Sequence, residues 1–107
     1  MSKRHIGQPG VSKAVTVSAD VADQALDERF RNTYFYDVHV TTSADDAVTV
    51  TVKDHDGRVL VPATATTGAT SGESITLSKY QMAVGIPTFT LANMASGTAT
   101  IIFNATT

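Results

Sequence analysis

The sequence predicts an all-β chain, a single antiparallel β-sandwich of about seven short strands with jelly-roll or Ig-like topology, entered by an extended N-terminal arm. Three observations carry that expectation. Apolar and polar residues alternate with period two in run after run, as in Val48-Thr49-Val50-Thr51-Val52. Clusters of Gly, Pro, Asn, Asp and Ser separate these runs at roughly ten-residue spacing. The strand–helix–strand rhythm that builds parallel sheets is missing.

Residues 1 to 12 contain Lys3, Arg4, His5, Gly7, Pro9 and Gly10, with only Ile6 and Val11 as sizeable apolar side chains. Such a stretch cannot form a core and reads as an extended basic arm, leaving 13 to 107 as the sandwich domain. Residues 14 to 18 alternate briefly as a first strand. Ala22, Leu26 and Phe30 then recur at four-residue spacing behind Asp20, which is the one place where a short helix competes with an irregular connection.

From Thr33 onward the strand signal dominates. Tyr34, Tyr36, Val38 and Val40 share one parity, which assigns them to the core and puts Phe35, Asp37 and His39 on the wet face. Val48, Val50 and Val52 repeat the pattern, and the short polar link at 43 to 46 predicts a hairpin between the two runs. Asp54-His55-Asp56-Gly57 turns the chain into a third strand at 58 to 61, completing an expected meander that Pro62 closes. Residues 63 to 72, rich in Thr, Ala and Gly, read as a loop without a core role. Runs at 74 to 78, 88 to 91 and 98 to 103 complete the set.

Composition narrows the function. The chain has 107 residues, net charge −2 and no cysteine, so it builds one core without a disulfide framework, a thiolate metal site or a cysteine nucleophile. A slightly acidic chain lacks the basic stripe of a nucleic-acid binder. No nucleic-acid partner is therefore expected, and because the sequence shows neither a signal-peptide apolar core nor a membrane span, no membrane partner is expected either. A core of mostly Val and Ala is thin, and points to stabilisation by other subunits.

Candidate chemistry is sparse. The tetrad 54 to 57 fails as a calcium loop, because the twelfth position counted from Asp54 is Ala65 rather than a bidentate Glu. A turn is the better reading. Asp37 and His39 share a face but lack a third partner, and Gly68 to Gly72 lacks the lysine of a phosphate loop. No cofactor, metal site or catalytic set is expected, and the chain is expected not to be an enzyme. The outward faces are coated instead with Thr49, Thr51, Thr76, Thr88, Thr90, Thr98 and Thr100 and few charges, which suits contact with other protein surfaces.

The basic arm, the expected hairpin at 34 to 53, the loop around Gly68 and the ending at 87 to 103 resemble small β-sandwich structural proteins of tailed bacteriophages. The resemblance spans residues 33 to 103. It implies a virion location and a capsid decoration or cement role, in which copies, often trimers, bind the major capsid protein or other virion proteins and bridge neighbouring subunits. The candidate contact residues are Lys3, Arg4, His5, Ile6 and Lys13 in and beside the arm, together with Phe35. The alternative is a binding module of a tail, fibre or host-adhesion device with a carbohydrate or protein ligand, using Phe35, Tyr80 or Phe89 as exposed aromatics.

Overall fold

The computed structural model describes residues 10 to 44, 47 to 66 and 72 to 107. The expected β-sandwich is there, with eight strands among the described residues where about seven were expected. They are β1 (Gly10–Val17), β2 (Val21–Ala25), β3 (Tyr34–Thr42), β4 (Thr49–Lys53), β5 (Val59–Ala65), β6 (Glu73–Met82), β7 (Thr88–Ala92) and β8 (Ala99–Thr106), with one 3₁₀ turn at Glu28–Phe30. Two four-stranded antiparallel sheets face each other, sheet A in the order β1-β8-β3-β6 and sheet B in the order β2-β7-β4-β5. Successive strands cross between the sheets everywhere except at the β4–β5 hairpin, and this nesting is the jelly roll of the two topologies expected.

The core shows why the strands lie where they do. All four phenylalanines of the chain, Phe30, Phe35, Phe89 and Phe103, are buried, and their rings touch in sequence. Phe30 stacks on Phe35 at 5.6 Å between centroids and meets Phe103 edge-on at 6.5 Å, while Phe89 lies 5.1 Å from Phe103. Val48, Val50 and Val52 of the β4 region and Ile101 of β8 are buried on the inward parity that alternation predicted.

Several expectations need correction. The segment at 20 to 30 is no α-helix. Residues 21 to 25 pair with β7, Val21 opposite Leu91 and Gln24 opposite Phe89, with a bulge between them that sets Asp23 at φ 48°. Leu26 and Phe30 do enter the core, but from an extended segment and a 3₁₀ turn, so four-residue spacing marked burial and not helix. The 34 to 53 hairpin is also absent, since β3 pairs with β6 and β8 whereas β4 pairs with β5 and β7. The short link crosses the sandwich instead of reversing within a sheet.

Pro62 does not end its strand. It sits in β5, an edge strand, where the missing N–H costs no central ladder bond. The segment expected as a loop from 63 also contributes to the structure, because Thr66 is buried and its Oγ1 accepts from the Val48 amide at 3.0 Å. Strand β1 begins at Gly10, so 10 to 12 belong to the sandwich and the remainder of the expected arm lies outside the described residues.

The largest correction concerns β3. Phe35 is fully buried, while Tyr34 and Tyr36 are 40% and 36% exposed, the reverse of the assignment by alternation. The cause is a β-bulge: both ladders of β3 shift register between Phe35 and Asp37. One extra residue, Tyr36, allows Phe35 and Val38 to point the same way across a three-residue step.

Candidate functional site

The bulge that turns Phe35 inward also builds the most distinctive surface of the molecule. All three tyrosines of the chain, Tyr34, Tyr36 and Tyr80, are exposed. Their hydroxyls explain the sorting: Phe is buried without a polar atom to satisfy, whereas Tyr keeps its oxygen wet. Tyr36 and Tyr80 touch across β3 and β6, with ring centroids 5.6 Å apart and planes tilted by 41°. Tyr34 stands directly opposite Met82 of β6, which is also exposed. On β6 the residues from 77 to 80 span the stretch that faces Tyr36 alone, and this bowing lifts Tyr80 to 61% exposure.

The ladder places this cluster at one end of sheet A. Gly10 opposes Thr106, Thr106 opposes Tyr34 and Tyr34 opposes Met82, so the four residues form one row across all four strands. The row therefore spans three interstrand spacings, about 14 Å. Residue 10 is where the described part of β1 begins, at the same end of the sheet as the tyrosines.

One step further along, the wet face of sheet A is cross-linked by polar side chains. Ser12 Oγ donates to Asn104 Oδ1 at 2.9 Å, Asn104 Nδ2 donates to Asp37 Oδ2 at 3.0 Å, and Thr76 Oγ1 donates to Asp37 Oδ1 at 3.1 Å. Asp37 is thus committed to structure. His39, on the same face as expected, holds Ser74 Oγ at 2.9 Å through Nδ1. Its Nε2 packs against Gly72, where an added Cβ would come within 2.5 Å. Asp37 therefore does not orient the imidazole, and the Asp–His–Ser arrangement of an activated nucleophile is not formed.

The tetrad at 54 to 57 is a turn, as expected, and it is held unusually firmly. Asp54 is 3% exposed. Its Oδ1 accepts from the amides of Asp56 at 3.0 Å and Arg58 at 2.9 Å, and its Oδ2 accepts from the Val84 amide and Arg58 Nε, both at 3.3 Å. Burial alone would push this carboxyl up, but the amides of Arg58, Val84 and Asp56 and the Arg58 charge outweigh it, and the pKa lies below the ordinary value. Gly57 takes φ 86° to close the turn. A shallow depression lined by Asp23, Lys53, Asp54, His55, Gly57 and Thr88 adjoins it, with the Asp54 carboxylate already spent on backbone donors.

Of the expected contact residues, Lys3, Arg4, His5 and Ile6 lie outside the described residues. Phe35 cannot make a surface contact, because the bulge places it in the core and gives its position on the surface to Tyr36. Lys13 lies on β1 with its amine 3.6 Å from Asp27, whose carboxylate is also held below its usual pKa by the Arg29 side chain. Phe89 is buried, so Tyr80 alone of the three aromatics expected for ligand stacking is available. Simple alternation, which runs straight through position 36, hides the tyrosine surface that the bulge creates. The signal was the unbroken Tyr-Phe-Tyr triplet, which gives two competing parities to one strand.

Among the described residues no three His, Cys, Asp or Glu side chains converge to hold a metal ion, and no helix is long and apolar enough to cross a membrane. No protein-family model matches the sequence, and no curated protein matches it. Among the solved structures that the chain is similar to are the following two. One is a chain from the disulfide-linked pili of Bacillus endospore appendages, at 15% identity and a TM-score of 0.47, with 99% of this chain and 94% of that chain covered. The other is a chain of the virus-like particle of the giant freshwater prawn Macrobrachium rosenbergii extra small virus, at 11% identity and a TM-score of 0.37, covering 99% and 82%.

Proposed function

We propose that this is a non-enzymatic structural protein of a virion, a capsid decoration protein that docks on the major capsid protein and bridges neighbouring subunits. The observation that supports the reading is the row Gly10–Thr106–Tyr34–Met82. It gathers the exposed tyrosines and the start of β1 at one end of one sheet, so the basic segment with Lys3, Arg4, His5 and Ile6 joins the domain beside an aromatic surface. Tyrosine suits such a contact, since it brings a large apolar ring and a polar tip at low conformational cost. The arm supplies charge, and many copies per particle multiply a modest single-site affinity.

The test is fractionation of a lysate containing the native chain on a density gradient, with antibody labelling of the intact particles. The chain should band with particles and label their outer surface. Tyr80→Ala should reduce banding without lowering the melting temperature, because Tyr80 is exposed, and deletion of residues 1 to 9 should reduce banding as well. A chain that stays at the top of the gradient refutes the decoration role. Binding of that free chain to a glycan array, lost in Tyr36→Ala and Tyr80→Ala, would favour the adhesion module instead, for which the Tyr36–Tyr80 ring pair is the supporting feature.

A further inference from the structure

An open sandwich has four edge strands, here β1 and β6 on sheet A and β2 and β5 on sheet B. Each edge presents a row of backbone donors and acceptors that another strand can take up, and natural proteins block the row with bulges, prolines or charges. Three of the four are blocked. The β2 ladder breaks between Val21 and Gln24, with Asp23 in the left-handed region. The β5 ladder shifts twice and carries Pro62. The β6 ladder breaks opposite the β3 bulge, and Lys79 is exposed in the bowed stretch.

Strand β1 has none of these devices. Its eight residues pair with β8 in unbroken register from Gly10–Thr106 to Val17–Ala99, with no proline and no acid. Its one charge, Lys13, lies on the same parity as the half-buried Val11, Val15 and Val17. An inward-pointing lysine guards an edge most strongly against a like charge directly opposite, and Asp27, 3.6 Å from its amine and shared with Arg29, offsets part of the charge otherwise.

We propose that the protein pairs with a second copy of itself through β1, antiparallel about a two-fold axis beside Ala14, so that the two copies of sheet A become one eight-stranded sheet. The register follows from parity, overlap and charge. A two-fold axis normal to the sheet keeps the wet faces on the same side, so opposed residues must share parity and their numbers must sum to an even value. Two such registers give the greatest overlap. One centres on residue 13 and sets Lys13 directly against the partner's Lys13, with like charges at the closest cross-strand approach. The other centres on Ala14 and pairs residues 11 to 17 of each copy. It sets Val11 against the partner's Val17, Ser12 against the partner's Thr16 and Lys13 against the partner's Val15. Charge selects the second. The pairing is two-fold, in place of the trimer that the phage resemblance implies.

Sedimentation equilibrium tests this, with the wild-type chain expected to form dimers. Ala14 is exposed on the wet face, so Ala14→Lys and Ala14→Glu should keep the far-ultraviolet spectrum of the folded chain while each weakens the dimer at least about tenfold, like charges facing each other at the axis. An equimolar mixture of the two variants should restore the dimer. That rescue requires both chains to be folded, and so separates a lost seam from a lost fold. Ser78→Lys, on the opposite edge, should leave dimerisation unchanged. A wild-type monomer or trimer, Ala14 variants that dimerise as wild type, an unrescued mixture, or loss of the dimer in Ser78→Lys overturns the proposal. Particle binding is read separately on gradients, so failure of this pairing and failure of the decoration role are distinguishable.

Discussion

Replacing Phe35 by alanine and, separately, Tyr36 by alanine tests the bulge that organises both the core and the tyrosine surface. Phe35 has no exposed surface and stacks on Phe30 at 5.6 Å with planes 27° apart. Removing a buried ring of this kind costs about 3–5 kcal/mol, of which the aromatic stack supplies about 0.5–1.5 kcal/mol. Tyr36 is 36% exposed and meets Tyr80 on the outside, so its truncation should cost less than about 1 kcal/mol. Domains of this size hold only about 5–15 kcal/mol in total, and each kcal/mol moves the melting temperature by about 4–8 °C. Phe35→Ala should therefore melt at least about 12 °C below the wild type, and Tyr36→Ala within a few degrees of it. Because the chain has no tryptophan, the assay is urea and thermal unfolding followed by far-ultraviolet circular dichroism. If Tyr36→Ala proves as destabilising as Phe35→Ala, simple alternation through 34 to 40 is correct and the bulge is not.

Asp54→Asn should destabilise the domain by about 2–3 kcal/mol, since an amide presents its NH2 group to donors that Oδ2 now accepts from Val84 and Arg58. Its lowered pKa sets the sign of a pH effect: the stabilisation is fully present above the unfolded value of about 3.9 and is lost as pH falls through the lower folded value. Acid melts should therefore show a smaller pH dependence below about pH 4 in Asp54→Asn than in the wild type. Gly85→Ala should cost more than about 1 kcal/mol in urea unfolding, because residue 85 sits at φ 76° and an added Cβ would lie 2.6 Å from His55 Cβ. An unchanged urea midpoint would mean that the 54 to 57 turn does not pack on Gly85.

Much of the fold is legible locally. The alternations at 48 to 52, 89 to 91 and 101 to 103 identify strands and their buried parity without reference to any partner, because successive side chains of an extended chain must point to opposite faces. The 54 to 57 turn is readable for the same reason, since Asp and Gly satisfy its demands within four residues. The candidate surface was only half legible. The Tyr-Phe-Tyr triplet announced aromatic importance, but which ring faces water depends on a bulge that exists only relative to β6 and β8.

What the sequence by itself determined is the class of the protein: extended, alternating, one core, no disulfide and a surface of threonines. Tertiary structure alone decided which strands are neighbours, that Val21–Ala25 is a strand on β7 instead of a helix, that β3 and β4 belong to different sheets, and that Phe35 is inside. The physical reason is range. Period-two patterning fixes which side of a strand is buried, but the ladder bonds that choose a partner, insert a bulge or leave β1 as an unbroken edge join residues as far apart as Gly10 and Thr106, where local preference has no information.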